Sequence, residues 1–357
     1  MSPVHRSVAE LSADDVDDLA HGCELLGGGG GGSTLISRMI LRRTIEQCGP
    51  VPIIDVGAPD AFDPDATVVA LGAVGSSTVM RESLPSPHPF VAATALMEQR
   101  HGEIGAVLTF QIGGTNGVFA ALAASALRLP LVDADSTGRA LTVVDSTVLG
   151  LRIPLTELAF AGTSGGTAFL AADDGRDIES MLRAILPAAG GWGAMACHRS
   201  SYRQIVDAAV AGSVTRALLL GAAVSGPVGG RADALHDAGM TVLFEGNVVA
   251  LSRRTGLYAA GVATLQHHGS RHRVARVDFA NEYVAVFDDG ELVSAAPDIV
   301  CVLDRSSWRP ISTEDLELHQ RVRVVSFDAP PELRAAHRTG HGFGLAAHGF
   351  VPVWEGR

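Results

Sequence analysis

The 357-residue chain contains no lysine; all 27 of its basic residues are arginines. That absence excludes any chemistry built on a lysine amine: a pyridoxal Schiff base, a Walker-A phosphate site, a protein-kinase site. Cysteine is scarce. Cys23, Cys48, Cys197 and Cys301 form neither a CxxC pair nor a dense disulfide framework, which predicts a reduced, cytoplasmic setting. Positive charge is in deficit, with 27 basic against 39 acidic residues and a net charge of −12, so no nucleic-acid partner is expected. Long apolar runs are missing as well: Gly or a charged residue interrupts each one before the roughly 20 residues of a membrane span. Residues 1–11 have no basic stretch followed by an apolar one, so neither a signal peptide nor a membrane partner is expected. There is no GxSxG elbow, no HExxH, no GxGxxG after a strand and no internal repeat of fixed period.

What is present is a well-buried globular chain: 47% hydrophobic, 18% charged, mean hydropathy +0.24. Its length suits about two domains of roughly 100–200 residues each. The low charge density is compatible with a homo-oligomer. Ser12-Ala13-Asp14-Asp15 resembles a capping box and opens a helix over 12–26. Six glycines, 27–32, form a tight joint, and Ser33-Thr34 starts a second helix with Leu35, Met39 and Ile40 on one face. Buried strands follow at 51–56, 67–71, 104–110 and 129–132, alternating with helices at 90–100 and 117–127. Further helices at 176–186 and 201–211 flank a strand at 192–197. Alternating strands and helices predict an α/β layer with loops at the strand ends. From residue 241 the texture changes to short β-type runs, predicting a barrel or sandwich. The expected architecture is an α/β catalytic domain over 1–220, a smaller β-rich domain over 240–330, and a tail, 331–357, strapped back on the body.

Five groups of residues could carry chemistry. The glycine run, with Gly30 inside it, is either a flexible close-packed joint or a carboxylate-binding loop of backbone N–H groups. Gln111-Ile112-Gly113-Gly114-Thr115-Asn116 follows a strand and opens a helix, where α/β sheets hold ligands; Asn116 could equally be a simple cap. Asp133-Ala134-Asp135-Ser136-Thr137-Gly138-Arg139 shares the same rim if the two strands are parallel. There a carboxylate could activate water and Arg139 could hold an anion; a self-satisfied turn is the bland alternative. Arg81 and Glu82 follow another strand end and could extend that rim. Cys197-His198 could bind a soft metal, copper or zinc, with help from His267, His268, His337, His341 or His348, although a buried thiol beside a surface imidazole is the simpler reading.

Several of these segments occur in a familiar order: Leu25-Leu26 with the glycine run, segment 72–82, Ile112-Gly113-Gly114-Thr115-Asn116, and Val132-Asp133-Ala134-Asp135-Ser136-Thr137-Gly138-Arg139-Ala140. Val277-Asp278-Phe279-Ala280-Asn281-Glu282-Tyr283, Pro297-Asp298-Ile299 and Phe343-Gly344 complete the set. The chain thus resembles the S-methyl thiohydantoin desulfurase family, found beside hydantoinase and oxoprolinase genes, over nearly its whole length. The resemblance implies an α/β domain joined to a β-rich one. It also implies a hydrolase that replaces the methylthio group of a cyclic isothiourea by water, giving a hydantoin and methanethiol. In the breakdown of S-methylated ergothioneine that ring carries a propionate. Two positions depart from the pattern: Gln111 stands where a glutamate is expected, and Ser33 where a proline is expected nearby. An amide cannot take a proton from water, so the expected base moves to Asp133 or Asp135. Asn116 and Glu82 complete the catalytic set. Gly113 and Gly114 would be charge-stabilising donors. Thr115, Ser136, and Arg139 or Arg81 would contact substrate. Cys197 with a histidine would supply a soft metal to the leaving thiolate. Two alternatives stand beside this reading: a hydantoinase- or oxoprolinase-type amidohydrolase accessory protein, and a non-enzymatic small-molecule binder.

Overall fold

The computed structural model describes residues 9–58, 62–142, 144–254, 260–270 and 272–339. The first part of the chain runs β1 (Glu10–Leu11), α1 (Val16–Leu26), α2 (Leu35–Cys48), β2 (Val51–Ile54), β3 (Thr67–Gly75), α3 (Ser77–Glu82), α4 (His88–His101), β4 (Ala106–Thr109), α5 (Thr115–Leu127) and β5 (Leu131–Asp135). It continues with β6 (Glu157–Gly162), β7 (Thr167–Ala171), α6 (Gly175–Ile185), β8 (Trp192–Ser201), α7 (Tyr202–Ala208), β9 (Val210–Ala211), α8 (Ser213–Ser225) and α9 (Arg231–Asp237).

These strands form one nine-stranded mixed sheet in the order β1-β2-β5-β4-β3-β8-β6-β7, with β9 paired to β5. The central strands β2, β5, β4 and β3 are parallel, joined through α4 and α5, and β8 turns the sheet antiparallel. The period-2 rule explains the layering. Along β3, Val69 and Leu71 enter the core beneath α1, α2, α4, α5 and α8, while Val68 and Ala70 face the opposite core beneath α6 and α7.

The second part is all β apart from its end: β10 (Met240–Arg254), β11 (Ala260–His267), β12 (Val274–Ala280), β13 (Glu282–Asp288), β14 (Glu291–Ala295), β15 (Ile299–Asp304) and β16 (Arg321–Phe327), then α10 (Pro331–Arg338). The seven strands make an antiparallel half-barrel in the order β14-β13-β12-β11-β10-β16-β15 around a separate core that includes Phe244, Val277, Phe279 and Tyr283. The two units are not independent. Ile299, Cys301 and Leu303 of β15 belong to the helix-side core of the first sheet, and the Cys301 thiol donates to the Leu25 carbonyl at 2.9 Å. The two-domain α/β plus β-rich architecture is therefore the one the chain adopts. In the tail, Leu333 and Ala336 of α10 pack on Val148 and Val210; Phe343, Gly344, His341 and His348 lie outside the described residues.

Local expectations needed two corrections. α2 does not bury Leu35 and Met39, which are 55% and 65% exposed; its inward face is Ser37, Leu41 and Ile45. The first helix starts at Val16 because Ser12 bonds the Asp15 carboxylate ahead of the first turn. Among the described residues, no helix is long and apolar enough to cross a membrane.

Candidate functional site

Because β3, β4 and β5 are parallel, their carboxyl ends open on one side of the sheet. A cavity of about 670 Å³ lies there. Its floor is the end of β3, Phe110 and Gln111 after β4, and Thr115 and Asn116 in the first turn of α5. Its other walls come from the glycine run, Ala140, Leu141, Thr142 and Val144, Arg183 of α6, and the second domain through Asn281, Glu282 and residues 312–314. The site is therefore a cleft between domains, a usual place for small-molecule binding.

The glycine run lets the walls approach. Gly31 and Gly114 touch backbone to backbone: a Cβ on Gly114 would lie 2.5 Å from Gly31, and both have positive φ. A Cβ on Gly30 would lie 2.6 Å from Glu282 Cγ, so glycine there admits the Glu282 side chain. The run also stitches the domains, since the Gly28 and Gly29 carbonyls accept from the Tyr283 and Thr313 N–H groups. The N–H groups of Gly29, Gly31 and Gly32 have no partner among the described residues.

Of the residues expected from sequence, Asn116, Thr115 and Gly30 line the cavity. Asn116 Oδ1 accepts from the Ala73 N–H at 2.7 Å, which leaves its Nδ2 without a partner among the described residues. Thr115 ties its N–H and its hydroxyl to the Gly31 carbonyl.

The others sit behind the wall or away from it, each for a local reason. Asp133 caps α8, accepting from the Val214 and Thr215 N–H groups at 2.8 and 3.0 Å and from the Thr215 hydroxyl at 2.6 Å. Burial raises its pKa above the ordinary 3.8. Asp135 is fully buried and accepts from the Ile112 N–H at 2.8 Å and the Gly138 N–H at 2.7 Å. Its burial outweighs those bonds and pushes its pKa up to about 7. It organises the two loops without lining the cavity. Gly114 N–H is already held by the Cys23 carbonyl, and Gly113 packs against Ala140; neither residue lines the cavity. Ser136 donates its hydroxyl to the Phe110 carbonyl. Glu82 is exposed at the end of α3.

Both expected anion-binding arginines are engaged across the domain boundary. Arg139, fully buried, pairs with Glu282 and donates to the Pro297 and Asp298 carbonyls at 2.6 and 3.0 Å. Arg81 pairs with Asp315 at 3.0 Å and Glu314 at 3.5 Å.

The metal reading does not fit the donors present. Cys197 is fully buried in the apolar core on the α6 face, and burial raises its thiol far above the usual range, whereas a ligand must be a thiolate. His198 sits in a β-bulge opposite β3 with φ 48°, stacked on Phe110, its Nδ1 on the Ile153 carbonyl at 2.9 Å. Burial lowers its pKa to about 4, so it is neutral and Nδ1 is the donor. It is buried, not the surface imidazole of the simpler sequence reading. Among the described residues, no three His, Cys, Asp or Glu side chains converge on a metal position.

Three side chains that sequence reasoning left without a role complete the cleft. Glu282, 2% exposed, presents Oε1 near the Thr142 hydroxyl at 3.3 Å. Arg183 holds Glu179 at 2.7 Å and the Thr142 carbonyl at 3.1 Å, leaving Nη1 without a partner among the described residues. Gln111 is 3% exposed. Its Oε1 accepts from the Leu141 N–H at 3.1 Å, and its Nε2 has no hydrogen-bond partner among the described residues. Glu282 was visible in the Asn281-Glu282-Tyr283 motif. Arg183 had no signal beyond its place on an amphipathic helix.

A mixed α/β layer carrying an antiparallel half-barrel, with a cleft between them, defines the class. Residues 14–172 match the S-Me-THD-like N-terminal domain and residues 172–353 the S-Me-THD-like C-terminal domain, so the chain belongs to the S-Me-THD-like family. The boundary at 172 falls between β7 and α6, inside the run of strands that builds the first sheet. A crystal structure of a protein from Chromobacterium violaceum is similar in fold, with a TM-score of 0.76 and 23% identity, covering 96% of each chain. No curated protein matches the chain.

Proposed function

We propose that this chain is a hydrolase that replaces the methylthio group of a five-membered cyclic S-methyl isothiourea by water. The reading rests on family membership together with one observation: a buried carboxylate, Glu282, at the wall of an interdomain cleft large enough for such a ring. In this scheme Glu282 takes the proton from a water as its oxygen bonds to the ring carbon that carries sulfur. The electron pair displaced by attack moves toward the adjacent ring nitrogen and its carbonyl. The carbon–sulfur bond then breaks, and methanethiol leaves with the proton that Glu282 returns. The proton left on the former water oxygen passes to the ring nitrogen, and the product is the hydantoin. Arg183, with an open Nη1 on the cleft wall, supplies the cation for a side-chain carboxylate on the ring, in place of Arg139 or Arg81.

Purified protein should release methanethiol from a 2-methylthio-imidazol-4-one bearing a propionate. Glu282→Gln should lower kcat by about 10²–10⁴-fold while the protein still melts cooperatively. A folded Glu282→Gln protein with full activity would remove Glu282 from the chemistry. Binding without release would favour the ligand-binding alternative, and ring opening without thiol release the amidohydrolase one.

A further inference from the structure

The Gln111 amide leaves a donor unused at the cleft. Its orientation is not free: Oε1 must face the Leu141 N–H, because Nε2 there would set donor against donor. Nε2 is therefore the atom without a partner among the described residues, in a side chain 97% buried that belongs to the cavity lining. A buried unsatisfied N–H costs roughly 1–3 kcal/mol, so a native structure that keeps one invites an explanation. The surroundings share its polarity. Asn116 has its oxygen engaged on Ala73 and its Nδ2 open, and both side chains flank the start of α5. The Gly114 and Thr115 N–H groups are already held by the Cys23 and Gly31 carbonyls, so what the start of α5 adds is the partial positive charge of a helix N-terminus. The opposite polarity lies nearby. Leu141 holds Gln111, and the next residue, Thr142, donates to Glu282, so donor and carboxylate are tied to two successive residues of one segment.

We infer that Gln111 Nε2, with Asn116 Nδ2 and the start of α5, forms an acceptor-selective end of the cleft that takes the ring carbonyl oxygen and thereby turns the sulfur-bearing carbon toward Glu282. The assignment rests on the proposed desulfurising function and makes Gln111 a specificity residue for it. A ring with a carbonyl next to the nitrogen satisfies the buried donor; a ring with CH₂ there leaves it unpaired. As water attacks, negative charge reaches the same carbonyl oxygen, and preorganised donors strengthen as it does.

The test is equilibrium binding by calorimetry of two probes with the same propionate side chain: the hydantoin, and the imidazolidin-2-one that lacks the carbonyl beside the substituted carbon. Gln111→Glu is the main variant, because it keeps an oxygen for the Leu141 N–H and removes only the donor. Gln111→Met is the second, in case the added charge perturbs folding. The wild type should prefer the hydantoin by roughly tenfold, the scale of one buried hydrogen bond. Both variants should lose that preference through weaker hydantoin binding, with imidazolidin-2-one binding little changed by Gln111→Met. Equal weakening of both probes, or an unaltered preference, overturns the assignment while leaving the cleft as the binding site. Failure of both probes to bind the wild type overturns the functional reading and this assignment with it.

Discussion

Asp135 shows how burial and hydrogen bonding compete at one carboxylate. Four bonds to Ile112, Thr137 and Gly138 favour its ionised form, yet complete burial prevails and its pKa rises to about 7. A raised acid binds more protons folded than unfolded between its ordinary 3.8 and about 7. Its contribution to stability is thus complete below the unfolded pKa and is lost as pH rises through that window. Asp133, raised by burial as well, adds the same sign. Asp135→Asn cannot ionise, and its amide must face a backbone N–H. It should be less stable than the wild type by about 1–3 kcal/mol at pH 5. The gap should narrow toward pH 8, as urea unfolding at the two pH values would read. Parallel pH profiles for the two proteins would count against the shift.

At the scale of elements, the same acidic segment shows what was legible in sequence and what was not. The alternation of strands and helices from β2 to α5 was readable because each apolar run is bounded by Gly, Pro or a polar turn. The parallel rim followed from it. The division of labour between Asp133 and Asp135 was not readable, since α8 begins 80 residues after Asp133 and nothing local signals that a remote carboxylate caps it. The N-cap residue of α8 is Gly212, which has no side chain to do so. The face of α2 was misread for a related reason: Leu35 and Met39 are apolar, but the core touches the helix on the Leu41–Ile45 side. The cap predicts a separation of roles. Asp133→Ala should lower urea stability by about 1–2 kcal/mol. Asp133→Asn should retain most of that stability, because its oxygen still accepts from the start of α8, and should retain methanethiol release. A folded Asp133→Asn protein without turnover would restore Asp133 as a chemical base.

Over the whole molecule, the cleft exists only while the two domains stay docked, and the docking is uneven in strength. Arg81 reaches Glu314 and Asp315 at an exposed edge, where an ion pair contributes about 0–1 kcal/mol. Arg139 is different. It is fully buried, joins Glu282 to the Pro297 and Asp298 carbonyls, and so links the end of the acidic segment to both sides of the half-barrel. Sequence could place Arg139 near the rim but not see this, because its partners lie more than 140 residues away. Removing one member of a buried pair strands the other. Arg139→Met leaves an unpaired carboxylate and two carbonyls without their donor, and should cost about 3–5 kcal/mol. Glu282→Gln should cost less, since an amide oxygen still accepts from Arg139 and the carbonyls keep their bonds. The expected order in urea at fixed pH is wild type, then Arg81→Ala close behind, then Glu282→Gln, then Arg139→Met. Splitting of the single transition in Arg139→Met would show the domains parting before either unfolds. Arg139→Met as stable as Arg81→Ala would mean that the shared apolar core around β15, not the buried ion pair, holds the cleft together.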